Sequence, residues 1–247
     1  MKRLGLILSV AALSACTTVY DAGRGTGPAP DDVLALPLPA DPGPAPDART
    51  AARNFVSVVE RLEPVVEQEC RLEARQSDCD FRIVVDDRRG QPPNAYQTLD
   101  QNGRPVIAFT LALIADARNV DELAFIMGHE AAHHILGHIG RQQQTAMTTA
   151  ILGGVIAAAS GADPSTVRAA QELGASVGAR TYSKDFELEA DRLGAAIAIS
   201  AGYDPVRGIA FFQRIPDPGN VFLGSHPPNE DRIRAVLQTA RRLGTGA

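Results

Sequence analysis

The stretch His129-Glu130-Ala131-Ala132-His133 decides how the rest of the chain is read. On a helix, residues i and i+4 lie on one face, so the two imidazoles can grip a single metal ion. Glu130 stands about 100° further round the helix axis, beside the metal, where a carboxylate can act as general base on a water molecule. The pattern is moderately specific here because histidine is scarce, with five residues in 247. The flanks supply the helix that the spacing needs. Asn119 is a fair N-cap, with Glu122 three residues on as in a capping box. Leu123, Ile126 and Met127 follow as an apolar stripe at helical spacing, and Gly137 and Gly140 offer places to stop. The plain alternative is an amphipathic helix that carries surface histidines.

Two histidines do not complete a catalytic zinc site, which takes three protein ligands and leaves a fourth position open. The candidate for the third lies in Ser183-Lys184-Asp185-Phe186-Glu187-Leu188-Glu189-Ala190-Asp191. Glu187 and Asp191 are i and i+4, so they share a helix face. Glu187 is the expected metal ligand. Asp191 then accepts the spare N–H of a ligating imidazole, His129 by preference, and fixes its tautomer. Glu189 lies about 200° round the helix from Glu187 and is expected outside this group. His134 and His138 are i, i+4 to each other but off the metal face, and they read as structural. A solvated acidic helix is the competing reading of the whole segment, since charged residues are usually exposed.

These pieces resemble the zinc peptidase family of the CAAX prenyl proteases and heat-shock membrane proteases, in its soluble periplasmic branch. The matching stretches run in family order. Asn94-Ala95-Tyr96 and Arg104-Pro105-Val106-Ile107-Ala108-Phe109-Thr110 resemble the strand region before the active-site helix. Residues 121–138 resemble that helix, and residues 187–191 match the Glu-x-x-x-Asp motif that carries the third ligand. Ala201-Gly202-Tyr203-Asp204-Pro205 and Ser225-His226-Pro227-Pro228, with Arg232-Ile233, resemble the tail. The resemblance covers roughly residues 50–245, and no transmembrane bundle of the prenyl-protease kind is read from the chain.

The resemblance implies an α+β fold: a mostly helical, gluzincin-type zinc peptidase domain with a small β-sheet bordering the active-site helix. It implies zinc on His129, His133 and Glu187, with Glu130 as the proton acceptor. His226 carries two readings. It can donate a hydrogen bond to the oxyanion at the scissile carbonyl, or, by likeness to an autoinhibited branch, take the fourth zinc position itself. A turn-ordering histidine is the plain alternative. Arg232 either braces that loop, contacts the reaction intermediate, or lies on the surface.

The N-terminus reads as an address. Lys2 and Arg3 precede a short apolar run at residues 4–12, and Leu13-Ser14-Ala15-Cys16 has the small-residue pattern before cysteine of a bacterial lipoprotein signal. The expected organisation is a signal peptide at 1–15, a lipidated Cys16 with a tether to residue 48, and one peptidase domain at 49–247. A simple secretory signal with an incidental Cys16 is the alternative. Thr17, rather than Asp, follows the cysteine, so the expected location is the periplasmic face of the outer membrane. The tether is rich in proline, with Pro28, Pro30, Pro37, Pro39, Pro42, Pro44 and Pro46, which block helix and sheet and extend the chain by about 3 Å per residue.

The remaining chemistry is sparse. The formal net charge of −5 and the lack of a basic run give no support to nucleic-acid binding. Apart from Cys16 there are two cysteines, Cys70 and Cys79, close enough to bridge in an oxidising compartment or to stay as buried thiols. Strands are expected at residues 81–85 and 106–110, with a hairpin turn at Gln101-Asn102-Gly103. The resemblance implies that an edge strand borders the cleft and pairs with the substrate backbone, a mode that suits extended chains with weak sequence preference. Asn94 either helps hold such a substrate or forms the turn. An apolar stretch from Met147 is too short for a membrane span and fits a helical hairpin over residues 145–180, turning at Gly161-Ala162-Asp163-Pro164. That hairpin either packs on the domain or shows an apolar face to lipid or a partner.

By resemblance, the activity expected is that of a zinc-dependent endopeptidase of the bacterial cell envelope, acting on misfolded or stalled periplasmic and outer-membrane proteins. The competing class is a chaperone or assembly factor for outer-membrane proteins with little proteolysis. The expected partners are unfolded polypeptides, the outer membrane through the lipid anchor, and the outer-membrane assembly machinery.

Overall fold

In the computed structural model, residues 41–181, 183–216 and 228–244 are described. Cys16, the expected signal and most of the tether, and His226 lie outside the described residues. Helix α1 (Ala48–Glu73) starts at Asp47, whose carboxylate accepts the amides of Arg49 and Thr50. It buries Ala51, Phe55, Val58, Leu62, Val66 and Cys70, steps of three and four that keep one face on the core. Cys70 is bonded to Cys79, nine residues on. In the chain-entropy model, closing a loop of that size stabilises by about 2.5 kcal/mol. The bridge staples the end of α1 to the segment that enters the sheet.

The sheet has the order β1-β3-β2, from β1 (Arg82–Asp86), β2 (Ala95–Leu99) and β3 (Pro105–Thr110). β1 runs parallel and β2 antiparallel to the central β3. β1 begins one residue later than expected, and Phe81 is buried just ahead of it. The β2–β3 turn closes as the residues imply. Asp100 accepts the amides of Asn102 and Arg104, and Gly103 takes a φ of 84°. β2 stands at the edge of this sheet, and among the described residues no further strand pairs with its outer rim.

After the short helix α2 (Leu111–Asp116), helix α3 (Val120–Ile135) carries the histidine motif through the middle of the molecule. Asn119 caps it by accepting the Glu122 amide. The reciprocal half of the capping box shifts by one residue: the Glu122 carboxylate accepts the amide of Arg118 at 2.9 Å and pairs with Arg214. The apolar stripe foreseen on α3 is in fact the whole circumference, with every residue from Asp121 to His129 buried. The reason is crowding from all sides, by α1, by β2 and β3, and by the helices that follow.

Helices α4 (His138–Ala159) and α5 (Pro164–Thr181) form the hairpin, with Gly161 at φ 79° in the turn. Asp163 caps α5 by accepting the amides of Ser165 and Thr166. The two helices pack chiefly on each other. Gly153, Gly174 and Gly178 let their backbones touch, and Thr149 donates across to the Gly174 carbonyl. Met147, Ile151, Leu152, Val155 and Ile156 stay exposed along α4. Among the described residues, no helix is long and apolar enough to cross a membrane. The chain closes with α6 (Ser183–Ser200), the single turn α7 (Pro205–Gly208), a 3-10 turn (Ile209–Gln213) and α8 (Asn229–Arg242). Helices α3, α6 and α8 lie side by side, and this layering brings the chemistry together.

Candidate active site

Helix α3 presents His129 and His133 on one face, and α6 lays Glu187 across them. The ligand atoms of these three residues lie within 4.8 Å of one another. The two Nε2 atoms are 3.0 Å apart, and the Glu187 oxygens stand 3.5 Å from each of them. This donor set of two imidazoles and one carboxylate is of the kind that holds a divalent metal.

One turn further along α6, Asp191 is fully buried and accepts from His129 Nδ1 at 2.9 Å. Arg232, on α8, holds the same carboxylate with both ends of its fork, Nε at 2.8 Å and Nη2 at 2.7 Å. Its guanidinium lies over the Phe212 ring at 4.2 Å. A surface place for Arg232 is therefore excluded: it is 8% exposed and braces the carboxylate that aims His129. Nothing local in the sequence marks this role, because Arg232 and Asp191 are 41 residues apart.

The electrostatics follow from burial and pairing. Burial alone pushes the His129 imidazole down, but its bonds to Asp191 and Glu187 reverse that and lift it to about 10. His133, half-buried and next to His129, is pushed down to about 3 by desolvation and then by the charge of His129. The 3.0 Å contact between them thus joins one protonated ring and one neutral ring. Burial would raise Asp191, but Arg232 and His129 hold its carboxyl below the usual range. Glu130 is raised by burial, with His129 opposing and Glu187 reinforcing the shift. A carboxyl raised in this way is better matched to proton transfer near neutral pH than an ordinary one.

A cleft of about 610 Å³ opens over these groups. One wall is Ala95, Tyr96 and Gln97 of the edge strand, and the other carries Phe211, Phe212 and Ile215. Asn94 also lines the cleft. Its backbone is pinned by Thr110, which accepts from the Asn94 amide through Oγ1 and donates to the Asn94 carbonyl through its own amide. His134 turns away from the metal face and bonds the Asp78 carbonyl at 2.7 Å, as a structural histidine does. His138 meets His133 side on, 2.9 Å from Nδ1 to Nδ1. Glu189, placed outside the group by its helix angle, bonds His138.

Residues 56–240 match the profile of a protein family described as Peptidase family M48. Beta-barrel assembly-enhancing proteases of Escherichia coli K12 and Shigella flexneri are each 28% identical over 148 residues, 53% of this chain and 30% of theirs. A relative in Vibrio cholerae serotype O1, whose name carries the same words, is 32% identical over 150 residues, 55% of this chain and 31% of its own. The matched stretch spans less than a third of the length of these relatives.

Proposed function

The chain belongs to peptidase family M48, and on that footing we propose that it is a zinc-dependent endopeptidase of the bacterial cell envelope. The observation that carries this reading is the metal-ligand triad with Glu130 beside it, in a cleft bordered by the edge strand β2. The chemistry of the triad supports zinc. The two imidazole Nε2 atoms are 3.0 Å apart, and each has its own Glu187 oxygen at 3.5 Å, Oε2 for His129 and Oε1 for His133, a donor set that zinc favours. His129, His133 and Glu187 would hold the zinc, which would supply Lewis acidity for the deprotonation of water and the polarisation of the scissile carbonyl.

The protein supplies the rest. An extended substrate adds its backbone to the outer rim of β2, which sets the scissile bond over the triad with little demand on sequence. The aromatic wall of Phe211 and Phe212 offers an apolar side chain somewhere to sit. Glu130 takes the proton from the attacking water and passes it to the departing amine. Asp191, clamped by Arg232, keeps the proton of His129 on Nδ1 and frees Nε2 for the metal.

The proposed substrates are misfolded or stalled periplasmic and outer-membrane proteins. This rests on the names of the relatives, which join assembly of β-barrels to proteolysis, and on the edge-strand cleft. The sequence Leu13-Ser14-Ala15-Cys16 supports a lipid anchor and a place on the periplasmic face of the outer membrane. The same names support a second reading, a chaperone or assembly factor that rarely cuts. Glu130→Gln separates the two. The purified variant is expected to keep its zinc and to lose casein cleavage by about 10²–10⁴-fold. Cleavage near the wild-type rate would sink the mechanism, and retained envelope function in cells carrying the variant would favour the chaperone.

A further inference from the structure

The two histidines of the triad are braced in different ways. His129 meets a carboxylate directly, through Asp191. His133 turns Nε2 toward the triad and Nδ1 toward another ring, His138, which is 3% exposed. The second nitrogen of His138, Nε2, lies 3.1 Å from Glu189. Arg141 donates to the same Glu189 oxygen at 2.8 Å. Phe186 stacks on the His138 ring with centroids 4.5 Å apart and planes 9° from parallel, and Arg141 lies over Phe186 at 4.3 Å.

The donors and acceptors can be counted. A ligating imidazole nitrogen carries no proton, so a His133 that binds metal through Nε2 has its proton on Nδ1. That N–H faces His138 Nδ1, which must accept it. His138 then carries its own proton on Nε2 and donates to Glu189, whose charge Arg141 balances. Each donor meets an acceptor, and the bonds run in one direction from the metal site to an arginine. Stacking on Phe186 fixes the plane in which His138 can do this.

We propose that His138, Glu189 and Arg141 form a relay that sets the tautomer and ring orientation of His133 at the metal, and that ties the metal site to the base of the α4–α5 hairpin. The proposal rests on the metal reading given above. It makes these three positioning residues, since none of them touches the reacting atoms. Two of the three, His138 and Arg141, lie in the first turn of α4, while Glu189 and Phe186 belong to α6. A shift of the hairpin base against α6 would therefore be felt at His133.

The test uses the full chain, its zinc affinity measured by competition with a chromogenic chelator, and the d–d spectrum of its cobalt-loaded form. His138→Phe keeps an aromatic ring against Phe186 and removes both nitrogens. It is expected to weaken zinc binding by about 10–100-fold and to change the cobalt spectrum. His138→Asn sets an amide oxygen close to where Nδ1 stood, and is expected to restore most of that affinity. Glu189→Ala should lose a smaller part of it. Wild-type affinity and spectrum in folded His138→Phe would overturn the relay, as would a His138→Asn variant no better than His138→Phe.

If His138→Phe does not fold, Glu189→Ala and long-range proton–nitrogen spectra of the metal-loaded wild type decide the matter. Protons on His133 Nδ1 and His138 Nε2 are expected, and a proton on His138 Nδ1 would overturn the relay. A wild-type chain that bound neither zinc nor cobalt would sink the metal reading instead. The relay would then be judged by the nitrogen–nitrogen coupling across the His133–His138 hydrogen bond, whose absence would refute it.

Discussion

Gly128 of α3 faces Gly194 of α6 so closely that neither position has room for a methyl group. A Cβ on Gly128 would stand 2.7 Å from the Gly194 carbonyl oxygen, and one on Gly194 would stand 2.6 Å from the His129 amide. Both obstacles are backbone, which cannot swing aside. The two helices therefore meet main chain to main chain, and this approach lets Glu187 and Asp191 reach His129 and His133. Either Gly128→Ala or Gly194→Ala should push the helices apart. We expect a loss of about 1–3 kcal/mol of stability, together with weaker metal binding. Thermal melts and zinc titrations of both variants check this. Unchanged values in both would mean that the helices can part without disturbing the site.

Asp191 and Arg232 should behave as a coupled pair. Removing one partner of a buried pair leaves the other uncompensated, so Asp191→Ala and Arg232→Ala are each expected to cost about 3–5 kcal/mol. The double variant should cost clearly less than the sum. Urea melts of the three variants would show the coupling. Strict additivity would argue that the two residues act independently.

Zinc uptake should be opposed by acid, and the sign follows from His129. Its metal-free imidazole is lifted to about 10, so at neutral pH the incoming metal must expel a proton. Affinity should then rise with pH, by about tenfold per unit while one proton is displaced. Calorimetry at pH 7 in buffers of different ionisation enthalpy should register about one proton released. In the presence of chelator the stability trend runs the other way. The contribution of charged His129 is complete below its ordinary value of 6.5 and is lost as pH rises through about 10. A zinc affinity that did not change between pH 6 and pH 8 would contradict the assigned proton.

The apolar ridge on α4 should be energetically idle in the isolated chain. Ile151 and Ile156 are each 58% exposed, so Ile151→Glu and Ile156→Glu remove little that is buried. Each is expected to change stability by no more than about 0.5 kcal/mol. A loss of several kcal/mol in thermal melts would show that these side chains are covered in the folded chain.

Much of the site is legible in the sequence because helix geometry is local. Residues four apart on a helix share a face whatever surrounds them. Hence His129 with His133 and Glu187 with Asp191 were legible as pairs, as were the Asn119 cap and the hairpin turn at Gly161. The location of the cleft between an edge strand and this helix was implied by the resemblance alone.

Tertiary packing decided the rest. The bond from Arg232 to Asp191 and the approach of Gly128 to Gly194 join residues far apart in the chain, and no periodicity encodes which helix faces will meet. The reading of His138 shows the limit most directly. It sits five residues after His133, and on a continuous helix it would point away from the metal face. The chain is not continuous there, because Gly137 takes a left-handed conformation at φ 66° and ends α3. Helix α4 then departs in a new direction and returns the His138 ring to the flank of His133. Local spacing fixes which residues can bind a metal; the left-handed turn at Gly137 and two close-packed helices fix what holds them in place.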